Sequence, residues 1–169
     1  RRLERRYRRV MNPGSEAGTY ALLLELRAPI GLNVGSLGVI DFDSPYYMYC
    51  GSALGPGGLA ARIRHHIRPV RNARWHIDYL RRAADVIIDW YTVDNRRLEC
   101  TWATTASTFR GASPISRFGS SDCRCQSHLV GLERRPSISA FRKRLADSRP
   151  GCPTIRELPY IELQAVSAQ

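Results

Sequence analysis

Five side chains in this 169-residue sequence could serve one chemistry. Arg62 and His66 stand four apart in LAARIRHHIR, residues 59–68, so on a helix they share a face. A guanidinium grips phosphate through two donors at once, and a histidine one turn on can donate or accept a proton. A solvated basic helix face is the plainer alternative. Glu99 opens a later helical stretch, with Trp102, Ala103 and Ala106 at i+3, i+4 and i+7. Its carboxylate therefore lies on the packing face, which is costly unless it meets a cation, a donor or water in a cleft. A divalent metal would satisfy it; so would an arginine such as Arg62, or helix capping. Tyr20 in GTY and Tyr49 in YCG stand at the ends of two strand-like runs. Neighbouring strands would bring them together, although tyrosine is also an ordinary packing residue in sheets.

A second set is sulfur-rich. Cys123, Cys125 and His128 form C-x-C-x-x-H in a turn-rich loop. Thiolates and imidazole suit zinc, but a closed structural site needs four ligands, and His76, Cys100 and Cys152 are all available as the fourth. The alternative is a loop held by turn bonds from Ser121 and Asp122. His76 and Asp78, in WHIDYL, read as helix-start contacts beside the same cleft.

The elements that must position these groups follow from periodicity. TYALLLELR (19–27) is a mostly buried strand, and YYMYC (46–50) is a second, bounded by Pro45 and Gly51. The glycine-rich GSALGPGG leads into a helix whose Leu59, Ile63 and Ile67 recur every fourth position, until Pro69 ends it. Residues 75–84 read as a second helix, 85–93 as a third strand rich in β-branched and aromatic residues, and 98–108 as a third helix. Turn residues then dominate, with one more helix expected from Ser137 to Leu145. The expectation is a small α+β domain, β-β-α-α-β-α, around a three-stranded, mostly antiparallel sheet. Residues 1–17 would be a flexible basic head, 18–132 the domain, and 133–169 a basic, proline-containing, partly ordered appendage.

Composition narrows the function classes. The net charge is +11, and residues 62–82 hold seven arginines against one acid, Asp78. Such a stripe suits a polyanion, most simply nucleic acid, with Arg64, Arg68, Arg71 and Arg74 holding the backbone without reading sequence. Lys143 is the single lysine, so arginine-rich composition is the competing explanation. No apolar run approaches a membrane span, and no hydrophobic targeting stretch follows the arginine-rich opening, for which Met11 is an alternative start. Five cysteines at mixed spacings do not form a secreted disulfide framework, which points to a reduced, cytoplasmic protein without a membrane partner.

GTY, then YCG, then Arg62 and His66 in one helix, then Glu99 in a later one, resembles the GIY-YIG endonucleases. The β-β-α-α-β-α order agrees with that family's fold. Within the superfamily, YCGSALGPGGLAARIRHH, RWHIDYL, ECTWA and FGSSDCRCQSHL look like the uncharacterised group numbered one hundred and twenty-three among domains of unknown function. The resemblance runs from about Gly18 to Leu132. It implies metal-dependent hydrolysis of phosphodiester bonds in DNA, or in RNA. Tyr20 would deprotonate or orient water, Tyr49 would stand beside it, and Arg62 would hold phosphate oxygens. His66 would be a relay or phosphate contact, and Glu99 the ligand of magnesium or manganese. The alternatives are a non-catalytic nucleic-acid-binding module on the same fold and a zinc-stabilised interaction domain.

Overall fold

The computed structural model of the chain describes residues 13–159. Most of the expected head, and the end of the expected tail from residue 160, lie outside the described residues. Strand β1 (Gly18–Glu25) is the spine of the main sheet, hydrogen-bonded to β4 (Tyr46–Ala53) on one side and β5 (Asp85–Val93) on the other. Between β1 and β4, β2 (Ile30–Asn33) and β3 (Val39–Phe42) form a separate two-stranded ribbon. Helices α1 (Gly58–Ile67) and α2 (His76–Leu80) precede β5. After β5 come α3 (Glu99–Ala106), β6 (Ser113–Pro114), β7 (Leu129–Leu132), α4 (Ile138–Ser148) and β8 (Arg156–Pro159).

The fold is α+β, and its pairings are antiparallel. The main sheet has six strands, in the order β6-β7-β4-β1-β5-β8, where three were expected. The expected three are its centre. The missed strands are short and flank that centre: β7 carries Gly131, β6 is two residues long, and β8 carries Arg156 and Glu157. None is long enough to display a period of two. Helix α2 also stops at Leu80, not at residue 84, and a turn carries the chain into β5.

Alternation along β1 and β4 divides the interior into two cores. Tyr20, Leu22 and Leu24 pack with Tyr47 and Tyr49 on one face, against Leu59, Ile63, Ile77, Leu80 and Phe118. Ala21, Leu23, Met48 and Cys50 face the other way, against Trp90, Trp102, Phe141 and Leu145. Helix α1 covers the first face, and α3 covers the second with α4 packed on it. The expected appendage is therefore part of the fold as far as Pro159. Phe141 and Leu145, one turn apart on α4, are fully enclosed, each stabilising the second core by about 1.5–3 kcal/mol. Among the described residues, no helix is long and apolar enough to cross a membrane.

Candidate active site

Tyr20 on β1 lies directly across from Gly51 on β4. A Cβ at position 51 would come within 2.5 Å of the Tyr20 ring, so the ring crosses β4 only because residue 51 is glycine. Tyr49, two residues earlier on the same strand, projects to the same face. Gly119, at φ +70°, gives the loop room beside the Tyr49 ring, 3.0 Å from where its Cβ would stand. Helix α1 crosses this face and delivers His66, whose Nε2 lies 2.8 Å from the Tyr20 hydroxyl, while the Tyr49 ring meets the imidazole edge-on.

Arg62 stands one turn before His66, its guanidinium 4.6 Å from the centre of the Trp75 ring. Trp75 is held by Asp78, a fully buried carboxylate that accepts from the backbone N–H of Arg74 and Trp75, from Arg81, and from His65. Burial works to raise the Asp78 pKa, but these hydrogen bonds outweigh it and hold the carboxyl below its ordinary value. Asp78 is thus a brace for the turn, as its place at a helix start suggests. On the far side of the sheet, the Leu98 N–H donates to Thr19 Oγ1, tying the start of α3 to β1 next to Tyr20. Glu99 follows at once.

These elements enclose a pocket of about 400 Å³ lined by Tyr20, Tyr49, Arg62 and Glu99, together with Arg97 and His76. Four of the five expected residues therefore share one cavity. His66 does not line it; only 1% exposed, it stands behind Tyr20. Burial pushes the His66 pKa well below its usual value, helped by Arg81, His65 and Arg62 and opposed by Asp78. Burial pushes the Tyr20 phenol well upward, with Tyr49 adding and Arg62 opposing. Tyr49 moves the same way, again from burial first, and Arg62 again opposes. The resting Tyr20–His66 pair is therefore neutral.

Glu99 is 5% exposed. Its Oε2 is enclosed without a hydrogen-bond partner, and among the described residues no cation lies within ion-pair distance of it. Arg62, the arginine partner considered from the sequence, is not paired with it. Glu99 lines the pocket, and a buried carboxylate with an oxygen left without a donor fits a hard divalent cation, which is commonly held by one or two carboxylates plus water and phosphate.

Outside the pocket, a groove of about 940 Å³ is lined by Arg64, Arg68, Arg71 and Arg81. Arg62, Arg74 and Trp75 line both hollows and form the wall between them. All four arginines expected to hold a backbone line the groove. Arg81 is committed to Asp78. Arg97 and Ser52 were missed from the sequence. Arg97 sits two residues before Glu99 in the DNRR turn, so its place beside the carboxylate was the available signal.

The Cys/His set also converges. Cys123, Cys125 and His128 meet Cys100 from α3, with all four ligand atoms within 4.8 Å of one another. Cys152 and His76, the other fourth ligands considered, are not in the cluster.

Neither the curated proteins nor the solved structures contain a match to this sequence. The family described as Domain of unknown function DUF123 matches residues 19–149, which takes in β1 from its second residue, both tyrosines, Arg62, Glu99, the Cys/His loop and α4. With most of its length covered, the chain belongs to the DUF123 family.

Proposed function

We propose that this chain is a metal-dependent phosphodiesterase of the GIY-YIG type, acting as an endonuclease on nucleic acid and on DNA first. The observation that carries the reading is Glu99, a buried carboxylate whose Oε2 has no partner, lining one pocket with Arg62, Tyr20 and Tyr49. Glu99 would hold magnesium or manganese, which when bound supplies positive charge at a phosphate oxygen. Arg62 would engage non-bridging oxygens through two donors, on a guanidinium already aligned by Trp75.

Tyr20 takes a more limited role than a standing base. Arg62 favours the phenolate, but burial outweighs it, so at rest the hydroxyl keeps its proton and shares a hydrogen bond with His66 Nε2. Its oxygen then accepts a hydrogen bond from water and aims that water at phosphorus. His66 holds the hydroxyl from behind, and in the tautomer with Nε2 unprotonated it would take the phenol proton only in step with transfer of the water's proton to Tyr20, since burial disfavours a standing imidazolium. Of its two expected roles, relay suits its buried position and phosphate contact does not. The arginine groove gives the flanking backbone a path that ends at the pocket through Arg62 and Arg74.

The test compares the full chain with Glu99→Ala on labelled DNA. Cleavage lost with binding retained is expected. Equal cleavage by the variant would remove Glu99 from the reaction.

A further inference from the structure

The Cys/His cluster lies beside the proposed reaction site, and that reaction makes no use of it. Cys100 is the second residue of α3, immediately after Glu99. Cys123, Cys125 and His128 come from the loop that leads into β7. His128 Nε2 lies 3.1 Å from Cys125 Sγ and 3.4 Å from both Cys100 Sγ and Cys123 Sγ. Cys123 Sγ is 2.9 Å from Cys125 Sγ. Cys100 and Cys125 are in disulfide contact.

A disulfide between Cys100 and Cys125 would use two of these four groups. It would leave a thiol and an imidazole nitrogen converging on the same point with nothing to hold them there. A tetrahedral zinc ion accounts for all four. Bond lengths of about 2.3 Å to sulfur and 2.0–2.1 Å to nitrogen put ligand nitrogen and sulfur about 3.5 Å apart, close to the spacing around His128.

The imidazole is also oriented for it. Its Nε2 faces the three sulfurs. The backbone of His128 is pinned as well, by its N–H to Phe118 and by the Cys50 N–H to its carbonyl.

We propose that Cys100, Cys123, Cys125 and His128 form a structural zinc site. The ligand set is closed at three thiolates and one imidazole, so the ion keeps no open position for substrate. Its work is mechanical. It ties the start of α3, and so Glu99, to the loop carrying Gly119, Ser121, Asp122 and His128, all of which line the pocket. The sequence left three candidates for the fourth ligand, and convergence in space selects Cys100. The site stands on its own ligands and does not depend on the phosphodiester reading.

The experiment measures metal content and coordination in the full chain, purified anaerobically from zinc-supplemented cells. About one tightly held zinc per chain is expected, with X-ray absorption giving three sulfur ligands and one nitrogen. Cys123→Ser and Cys125→Ser should lose it, while Cys152→Ser keeps it. Chelation under reducing conditions should lower the melting temperature of the unsubstituted chain, because a structural zinc contributes directly to folding. A metal-free chain under these conditions would overturn the proposal, as would zinc without sulfur ligands. So would peptide mapping that finds Cys100 and Cys125 joined as a disulfide. If the cysteine variants fail to fold, X-ray absorption on the unsubstituted chain still decides.

Discussion

The pocket around Glu99 and the groove beside it share Arg62, Arg74 and Trp75, yet their linings are held in different ways. In the pocket, Tyr20, Tyr49 and Glu99 are almost fully buried, each fixed by a strand or by the start of a helix. In the groove, Arg64, Arg68 and Arg71 are exposed and stand in water. Buried groups keep their direction, and their fields are weakly screened, as bond-breaking chemistry requires. Exposed arginines are screened and adaptable, which suits a grip on a backbone of any sequence. On the proposed reading, the pocket is a place for reacting and the groove a place for holding, with Arg62 serving both.

Arg62 is where that separation should fail. Arg62→Ala is expected to lower cleavage by about 10²–10³-fold, because it removes donors to the reacting phosphate. It should also weaken DNA binding. If only binding falls, Arg62 belongs to the groove alone. Tyr20→Phe probes the pocket by itself, since the ring still fits over Gly51 and only the hydroxyl is lost. Single-turnover cleavage should drop by about 10²-fold with affinity unchanged.

The groove gives the reverse pattern. In a variant with Arg64→Ala, Arg68→Ala and Arg71→Ala together, the slope of log affinity against log salt should shrink by roughly two to three units. Cleavage at saturating DNA should change little. An unchanged salt slope would take the groove out of the DNA path.

The smallest effect is on stability. An unfolded histidine titrates near about pH 6.5, while buried His66 stays neutral well below that. The unfolded state therefore takes up a proton that the folded state refuses, so stability is lost as pH falls from about 7 toward 5. His66→Gln should flatten the dependence of the urea midpoint on pH. His76 is shifted downward too, by burial, so part of the slope should remain.

The same contrast governs how much was legible in the sequence. The apolar run of β1 and the fourfold period of Leu59, Ile63 and Ile67 are long enough to declare strand and helix, and both formed where expected. Glu99 was conspicuous because a charge stood on an apolar helix face, and it is buried there with Trp102, Ala103 and Ala106. The β2–β3 ribbon was hidden because Gly31, Gly35 and Gly38 interrupt any strand pattern in the stretch that forms it. Gly35 and Gly38 are instead its turn, at φ +47° and +74°, closed by the Val34 N–H to the Gly38 carbonyl. Strands β6, β7 and β8 are fixed by pairing with distant partners, which a local pattern does not record. The meeting of Cys100 with a loop more than twenty residues later has the same origin: it depends on tertiary packing, and spacing alone left it open.

The central claim is that the Glu99 pocket hydrolyses phosphodiester bonds with the help of a divalent cation. Cleavage of end-labelled linear and branched DNA by the full chain, with magnesium or manganese and with chelator, tests it most directly. Metal-dependent cutting that disappears in chelator and in Glu99→Ala is the predicted result. No cutting of any substrate with either metal, alongside intact salt-sensitive binding, would contradict it and leave a nucleic-acid-binding module in which the pocket holds a phosphate without breaking it.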